Sequence, residues 1–385
     1  MDTAAWQQAG LYDPDAAGAE ERRALLEYLE SRGATLDQLI EAHRLGRLPS
    51  VAGDLALRAT PASLSVAEVA ARSAVSVERV QRILLASGLP VAADTQLPAD
   101  LDAVIQGFEG GVAVLGEDAV VAFTRVLGAA AITISEAAVA LFYAEVGPGT
   151  GRAGSDELSR ARMAEQATTA FSAVPDVLVR LLLAHFERVT RGAVLARDWS
   201  DRTAEPTDQT SDQGPSLRVA VGFVDLVGST AWAEQLSLRD QSLALSRFES
   251  AAWSSAVQTG GRVVKMIGDE VFFAAPTVDA ACRIGTDVCQ AAAADPELPR
   301  ARGAVGWGVV DPREGDYFGP LVNLVSRLVK AADPGTLVVT QEVADGLATD
   351  RWTCRELTTQ QLRGVSTPVR AYVVAPREPS AAEQG

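Results

Sequence analysis

Cysteine, histidine and lysine are all scarce in this chain of 385 residues. The three cysteines are Cys282, Cys289 and Cys354, and the two histidines are His43 and His185. They are too few and too scattered to supply the clustered thiolate or imidazole ligands of a structural zinc site. We expect the cysteines to be reduced thiols, because disulfides persist mainly in oxidising compartments.

Positive charge is also in deficit. The chain has 34 basic and 50 acidic side chains, which gives a formal net charge of −16 at pH 7. Proteins that bind nucleic acid or anionic membranes neutralise phosphates with an excess of Lys and Arg. We therefore expect neither nucleic acid nor a membrane surface as a partner. Because arginine supplies nearly all of the positive charge, the two lysines, Lys265 and Lys330, stand out.

Long uninterrupted hydrophobic runs are missing too. The most membrane-like window, residues 126–146, contains Glu136 and several small polar residues. It predicts a buried helix rather than stable membrane insertion. The first residues lack the basic and apolar segments of a secretion signal. We expect a cytoplasmic protein.

The first half of the chain predicts an all-α domain over residues 1–197. Apolar residues recur there at helical spacing, and no segment alternates in the manner of a strand. Two capping-box signatures mark the starts of helices, Thr35 with Gln38 and Ser65 with Glu68.

Residues 64–89 have the rhythm of a helix-turn-helix. This pattern is compatible with a DNA-reading module or with two packed helices of a bundle. The second helix offers only Arg79 and Arg82 against Glu78, which is too little positive charge to anchor phosphates. The pattern therefore favours packed helices.

The two histidines lie on predicted helices of this half. His43 shares an apolar stripe with Leu39 and Ile40, and His185 follows three leucines at 181–183. Each is interpreted as a hydrogen-bonded core or interface residue. The alternative is a proton switch, since histidine titrates near neutrality.

The composition changes after residue 197. Residues 198–216 are polar and predict a linker. Residues 217–376 then predict strands and helices in the order β-α-β-β-α-β, the ferredoxin-like split unit. We expect residues 377–385 to be a disordered tail. The predicted fold class is thus an all-α domain followed by an α+β ferredoxin-like domain.

Acidic residues end two neighbouring strands of the predicted sheet. Asp225 ends the first strand, and Asp269 lies in the turn of the hairpin 262–275. Carboxylates from adjacent strand ends can share a pair of hard cations such as Mg²⁺, which also binds substrate phosphates. The segment 228–230 opens a helix there, and the N–H groups at a helix start favour phosphate. Turn chemistry alone is the alternative for either aspartate.

Asn323 and Arg327 are spaced four residues apart on a predicted helix, so both project from one face. A guanidinium aimed at a phosphoryl group stabilises charge in a transition state, and an amide can orient a sugar oxygen.

Three segments stand in order along the second half. They are FVDLVGST at 223–230, VKMIGDEVFF at 264–273 and DYFGPLVNLVSRL at 316–328. Together they resemble the class III nucleotidyl cyclases, over about residues 217–374. The resemblance implies that Asp225 and Asp269 bind two Mg²⁺ or Mn²⁺ ions per active site. It also implies that Asn323 positions ribose and Arg327 stabilises the transition state.

Lys265 and Asp316 match the two base-reading positions of that family. Lys265 can donate to N1 of adenine and Asp316 can accept from its N6 amine, whereas guanine presents the opposite pattern. The resemblance therefore implies an adenylate cyclase, which converts ATP to 3′,5′-cyclic AMP and pyrophosphate. Arg363 matches a basic contact to the triphosphate, in a looser alignment.

The resemblance also implies a homodimer, because the family's sites combine metal aspartates from one chain with base-reading residues from the other. The first half resembles the helical regulatory domain of some actinobacterial cyclases. This implies an autoinhibitory, pH-responsive domain, in which we expect His185, beside Glu187 and Arg188, to be the sensor. The rival signal is a lipid or other apolar ligand held between the helices of the first half.

Two other functions stay open at the level of sequence. One is a nucleotidyl cyclase of another base specificity, although Ile267 stands where the diguanylate cyclase motif needs a second glycine. The other is a DNA-binding regulator that only senses nucleotide. The acidic first half and the complete set of six cyclase residues weigh against the regulator.

Overall fold

The structure is a computed structural model. It describes residues 3–57, 63–89, 91, 96–98, 101–146, 156–171, 173–203, 217–357, 362 and 368–377. The chain divides into two compact units, Met1–Arg197 and Asp198–Gly385.

The described part of the first unit consists of helices and one short ribbon of two strands. The elements are α1 (Thr3–Gln8), α2 (Ala19–Ser31), α3 (Leu36–Arg44), α4 (Val51–Leu57), β1 (Ser63–Ser65), α5 (Val66–Ser73), α6 (Val77–Ala86), β2 (Gln96–Pro98), α7 (Leu101–Leu115), α8 (Glu117–Val146), α9 (Glu157–Phe171) and α10 (Val174–Thr203), with a short 3-10 helix at Leu48–Ser50.

Two hydrophobic clusters hold these helices together. One gathers α2, α3, α4 and α9 around buried side chains such as Leu25, Leu29 and Leu39. The other joins α5, α6, α7 and the start of α8 around Val69 and Ile83. The helices named here contribute their apolar stripes, as the sequence periodicity predicts, whereas the described side chains of α10 over 174–191 lie outside both clusters and are mostly exposed.

Both predicted capping boxes are confirmed. The Thr35 side chain accepts from the backbone N–H of Gln38, and the Gln38 side chain accepts from that of Thr35. Ser65 and Glu68 make the same reciprocal pair at the start of α5. These bonds satisfy N–H groups that have no partner inside the helix.

The structure departs from the sequence expectations for this unit at one ribbon and one helix. The strands β1 and β2 pair antiparallel, so the domain is not purely helical. Each strand has three residues, too short for a period-two pattern to be visible. Residues 117–146 form the single helix α8, which begins nine residues before the window 126–146 that the sequence predicted as a helix.

The prediction of a buried helix at residues 126–146 is wrong. Of the described side chains in this window, only Gly128 is buried, and large apolar residues such as Leu127, Ile132 and Leu141 are exposed. Within the unit, α8 packs mainly on α6, α7 and α9. Two stretches, Glu117–Phe142 and Glu157–Arg191, are long and apolar enough to cross a membrane by length and composition. Helices of soluble proteins pass the same criterion, so the absence of membrane insertion stays a prediction.

The second unit alternates strands and helices. Its elements are β3 (Leu217–Leu226), α11 (Ser229–Ala233), α12 (Leu238–Gln258), β4 (Arg262–Ile267), β5 (Glu270–Ala275), α13 (Val278–Ala294), β6 (Ala301–Arg313), β7 (Asp316–Phe318), α14 (Pro320–Leu328), β8 (Leu337–Thr340), α15 (Gln341–Gly346), β9 (Trp352–Glu356) and β10 (Ala371–Pro376), with a 3-10 helix at Val329–Ala331.

The main sheet has the strand order β4-β5-β3-β6-β8-β10-β9, and β7 pairs with β6 outside this path. The strands β3, β4, β5 and β6 pair antiparallel and are connected through α11, α12 and α13. The predicted order β-α-β-β-α-β is confirmed for this unit. It makes β3 a central strand, with β5 on one side and β6 on the other.

Side chains of β3 alternate between the two faces of the sheet, as strand geometry requires. Ala220 and Val224 pack in the cluster with α12 and α13. Val221 and Phe223 pack in the cluster with α14 and the 3-10 helix at Val329–Ala331. The second face is called the α14 face below, and by the same alternation it receives Asp225.

Three element boundaries differ from the expectations. The helix expected to open at residues 228–230 is the short helix α11, because Ser237 caps a new helix, α12, by accepting from the N–H of Asp240. The helix α10 extends to Thr203, six residues into the predicted linker. The short strands β7 and β9 were not predicted. Of the predicted tail 377–385, Arg377 is described and donates from its backbone N–H to the carbonyl oxygen of Arg351 at 2.8 Å. Residues 378–385 and 204–216 lie outside the described residues.

Candidate active site

The carboxylate of Asp225 lies at the centre of the sheet. It is the penultimate residue of β3, directly opposite Glu270 of β5 and Arg302 of β6. The residue is only 5% exposed, although aspartate is rarely buried without a charged partner. A buried carboxylate on a central strand is therefore a strong candidate for a functional group.

The hairpin turn brings Asp269 next to Asp225. The backbone N–H of Leu226 donates to the carbonyl oxygen of Asp269 at 3.3 Å. Gly268 precedes Asp269 with φ of +64°, a conformation that glycine adopts without the steric penalty of a Cβ. The two predicted metal aspartates are thus neighbours, as the sequence predicted from the split sheet.

Two cations hold the Asp225 carboxylate. Arg302 donates to Oδ2 through Nε at 3.1 Å and Nη2 at 2.9 Å. Lys330 donates from Nζ to Oδ1 at 2.7 Å and also to Oε2 of Glu270 at 2.9 Å. Burial lowers the pKa of Lys330, but its hydrogen bonds to the two carboxylates outweigh that effect, and the pKa is raised. Each oxygen of the Asp225 carboxylate therefore accepts a hydrogen bond from a positively charged side chain.

Sequence reasoning missed Glu270, Arg302 and Lys330. Glu270 and Arg302 follow from strand register, which a single sequence does not reveal. Lys330 carried a visible signal, since it is one of two lysines in the chain. It lies on the 3-10 helix after α14, three residues beyond Arg327.

The two predicted base-reading residues contact each other. Nζ of Lys265 on β4 bonds to Oδ2 of Asp316 on β7. Asp316 also accepts, through Oδ1, from the backbone N–H of Tyr317 at 2.8 Å. Lys265 lies opposite Phe272 in the β4–β5 register, with Nζ 5.8 Å from the centroid of the Phe272 ring. Because Phe272 packs on the α14 face, this pair and Asp225 lie on the same side of the sheet.

A second contact fixes the turn before Asp316. Arg262 donates to the carbonyl oxygen of Gly315 at 3.0 Å, and its guanidinium lies 4.7 Å from the centroid of the Tyr317 ring. These contacts span from β4 to β7. They limit the freedom of Asp316 and so preorganise the pair with Lys265.

Asn323 and Arg327 lie one turn apart on α14. Val325 and Leu328 bury the other face of this helix against the sheet, which leaves Asn323 and Arg327 exposed. Pro320 at the first turn suits a helix start, where its missing N–H costs nothing. The structure thus presents an amide and a guanidinium together on one exposed surface.

Three other predicted residues are placed differently. Arg363 lies outside the described residues. His43 and His185 are both exposed within the first unit. The interpretation as core residues is therefore wrong for both histidines within this unit, whereas their interpretation as interface residues stays a prediction.

The donor set suits a hard cation bound jointly with a substrate. Among the residues described, no three His, Cys, Asp or Glu side chains cluster closely enough to form a complete metal site. Asp225 and Asp269 supply carboxylate oxygens, and Mg²⁺ typically binds through one or two carboxylates together with phosphates and water. The residues present therefore fit such an ion. The cysteines do not contribute, since none of the three forms a disulfide and both Cys282 and Cys289 are buried away from solvent.

The helix-turn-helix pattern is observed as α5 and α6, which meet at Ala74 in a left-handed conformation. The arginines of α6 are engaged within the unit. Arg79 pairs with Glu109 at 2.7 Å, and both Arg79 and Arg82 pair with Glu117. Ion pairs raise the pKa of Arg79, chiefly through the hydrogen bonds to Glu109 and Glu117. These pairs favour the interpretation as packed helices.

Comparisons with known proteins show the family of the chain. The chain is 30% identical over 387 residues to the uncharacterized protein Rv2212 of Mycobacterium tuberculosis, and the match covers 97% of this chain and 94% of that protein. It is 35% identical over 189 residues to an adenylate cyclase of Glutamicibacter nicotianae, covering 47% of each chain. It is 25% identical over 366 residues to the pH-sensitive adenylate cyclase MT1302 of M. tuberculosis, covering 92% of this chain and 88% of that protein.

A crystal structure of the adenylyl cyclase CyaB from P. aeruginosa overlays on 43% of this chain and 97% of its own, with 22% identity and a TM-score of 0.38. No protein-family model matches the chain. The relatives that have an assigned activity are adenylate cyclases. The chain belongs to the class III adenylate cyclases of actinobacteria, a family of enzymes.

Proposed function

We propose that the chain converts ATP to 3′,5′-cyclic AMP and pyrophosphate at sites shared by two copies of the chain, under control of the helical first unit. The observation that carries this proposal is the Lys265–Asp316 pair on the same face of the sheet as Asp225 and next to α14. Each copy thus carries a base-reading pair and a carboxylate for metal and phosphate on one face, and two facing copies can combine the pair of one with the aspartates of the other. The roles of the individual residues below belong to the proposal.

The specificity for adenine follows from the chemistry of the pair. Lys265 is a donor without acceptor capacity, and the Asp316 carboxylate is an acceptor without donor capacity. Adenine offers an acceptor at N1 and a donor at N6, so both groups find a partner. Guanine offers a donor at N1 and an acceptor at O6, which leaves both charged groups unmatched. When no base is bound, Lys265 and Asp316 pair with each other, and this pairing holds both side chains in position for the base.

Asp225 and Asp269 hold two Mg²⁺ or Mn²⁺ ions, which lower the pKa of the attacking 3′-hydroxyl and neutralise the triphosphate when bound. The two carboxylates fix the side of the sheet on which the α-phosphorus must lie. Glu270, beside Asp225, adds negative charge to the same edge. Asn323 orients the ribose, and Arg327 stabilises the charge that develops on the phosphoryl oxygens.

Two copies of the chain are needed because the roles are divided between surfaces. Asn323 and Arg327 are exposed on α14, where they can reach the substrate of a facing copy. In a head-to-tail pair, each site takes the aspartates of one copy and the remaining residues of the other. A chain that carries all of them builds two equivalent sites in a symmetric dimer.

The name of the M. tuberculosis relative, a pH-sensitive adenylate cyclase, supports regulation by protons. Histidine charges between pH 5 and 8 and can bias a two-state arrangement. His185 lies on α10, which leads from the first unit toward the second. We place the proton sensor there and expect inhibition to be its output.

The test of the catalytic proposal is product formation by the purified full chain with ATP or GTP in the presence of Mn²⁺, followed by chromatography of the nucleotides. We expect cyclic AMP from ATP and at least about tenfold less cyclic GMP from GTP. The double variant Lys265→Glu with Asp316→Ser should lose this preference. Equal turnover of the two nucleotides by the unmodified chain would contradict the assigned roles of Lys265 and Asp316.

A further inference from the structure

Lys330 bridges two acidic side chains that are largely buried. The side chains of Asp225 and Glu270 are 7% and 13% exposed, whereas that of Lys330 is 52% exposed. Its ammonium lies 2.7 Å from Oδ1 of Asp225 and 2.9 Å from Oε2 of Glu270. A cation on the solvent side therefore covers two carboxylates that lie behind it.

The two cations on Asp225 differ in how easily they can leave. Arg302 lies opposite Asp225 in the β3–β6 register, and its Nη1 also donates to the carbonyl oxygen of Lys330 at 3.0 Å. It takes only Oδ2, through two donors in a rigid fork. Lys330 takes Oδ1 with a single ammonium on a flexible stem of four carbons. A divalent cation that approaches Asp225 from solvent meets Lys330 first.

We propose that Lys330 is a tethered counter-ion that occupies the metal-binding oxygen of Asp225 and is displaced when a divalent cation binds there. It acts as a positioning residue, since it keeps Asp225 and Glu270 from repelling each other while no metal is bound. Its removal leaves two neighbouring carboxylates, of which Asp225 keeps its hydrogen bonds to Arg302. The affinity for metal should then rise. This inference rests on the proposed metal-binding role of Asp225.

Because the chain has two lysines, the displacement of Lys330 can be observed directly. Full-length protein grown with lysine labelled with carbon-13 at the ε-carbon gives two lysine signals, from Lys265 and Lys330. The Lys330→Arg variant identifies which signal is which. On titration with Mg²⁺ alone, without nucleotide, the Lys330 signal should move to the position of a solvent-exposed lysine. The Lys265 signal should stay in place, because its partner Asp316 is not a metal ligand.

Equilibrium binding of Mn²⁺, measured by electron paramagnetic resonance, provides the second measurement. Lys330→Gln should bind Mn²⁺ roughly two- to fivefold more tightly than the unmodified chain, as expected when one partly exposed ion pair no longer competes with the metal. Lys330→Arg should restore the original affinity. The matched control is Arg370→Gln, which removes an equally exposed cation from Glu356 on the distant edge of the sheet.

The outcomes separate this inference from the metal site itself. If Asp225→Asn abolishes Mn²⁺ binding, the metal site stands. An unmoved Lys330 signal at saturating Mg²⁺, or unchanged or weaker Mn²⁺ binding by a folded Lys330→Gln variant, then overturns the inference alone. If the unmodified chain binds neither ion, both the metal-binding role of Asp225 and the inference are wrong. The signal of the unmodified protein decides the question even if the glutamine variant does not fold.

Discussion

At the scale of single residues, the site depends on how buried carboxylates are neutralised. Asp225 is tolerated on a central strand because Arg302 and Lys330 supply both of its oxygens with donors. A buried ion pair contributes less to stability than to function, since desolvation offsets much of its attraction. The arrangement therefore fits a carboxylate kept for chemistry and held in place by cations.

The first prediction concerns the two aspartates. Asp225→Ala and Asp269→Ala should each lower cyclic AMP formation by roughly 10²-fold or more, because each removes a ligand of ions that supply several kcal/mol of charge stabilisation. The assay measures initial rates at saturating Mn²⁺. Glu356→Ala is the control, since Glu356 lies on β9, four strands from β3 and roughly 19 Å away at the spacing of strands. Turnover near that of the unmodified protein in either aspartate variant contradicts the assignment.

At the scale of elements, close packing of helices organises the first unit. Gly128 of α8 lies against the end of α6, where a Cβ built on Gly128 would come within 2.4 Å of the carbonyl oxygen of Ser87. This approach is possible only because glycine has no side chain. Beyond this contact one face of α8 is exposed, although the hydropathy pattern predicted a buried helix.

The second prediction tests that contact. Gly128→Ala should lower the free energy of unfolding by about 1–3 kcal/mol, because the clash is with backbone and α6 must shift. Thermal unfolding followed by circular dichroism measures the loss. The matched control is Gly110→Ala in α7, where a Cβ meets no atom within 4 Å and helix propensity favours alanine by about 0.5–1 kcal/mol. Equal midpoints for the two variants would argue against close packing of α6 and α8.

At the scale of the whole molecule, the proposed sites exist only between two copies of the chain. Misplacing catalytic groups by about 1 Å can cost on the order of 10²-fold in rate. Small changes in how the two copies meet are therefore sufficient for regulation.

The third prediction is complementation between inactive variants. Asp225→Ala and Arg327→Ala chains should each be nearly inactive alone, because each spoils both sites of its homodimer. A mixed dimer contains one site with Asp225 and Arg327 both intact, so mixing should restore activity. Subunit exchange is monitored by native mass spectrometry. If exchange occurs and activity does not return, the two copies do not share their sites.

The fourth prediction concerns the response to pH. A His185→Ala chain should lose the change in activity that we propose for the unmodified chain between pH 5 and pH 8, because the side chain at that position can then no longer gain charge as the pH falls. His43→Ala is the matched control, since His43 is also exposed in the first unit. Overlapping pH profiles for His185→Ala and the unmodified chain would remove His185 from the mechanism. Addition of a fatty acid to the same assay tests the rival apolar signal.

The sequence alone determined most elements and the residue types of the site. Helix starts were readable because capping boxes are local, as at Thr35 and Ser65, and strands were readable from their apolar runs. Asp225, Asp269, Lys265 and Asp316 were found because their chemistry lies within short segments. The resemblance of three such segments to a known family assigned these residues to one site.

The tertiary structure decided which charges meet. Glu270 and Arg302 flank Asp225 only through the register of β5 and β6, which is set by pairing over long separations in the chain. Lys330 reaches Asp225 from 105 residues away because α14 packs on that face of the sheet. The exposure of α8 likewise depends on which helices cover it, and hydropathy does not contain that information. Local patterns fix what each segment can form, whereas burial and ion pairing are properties of the assembled fold.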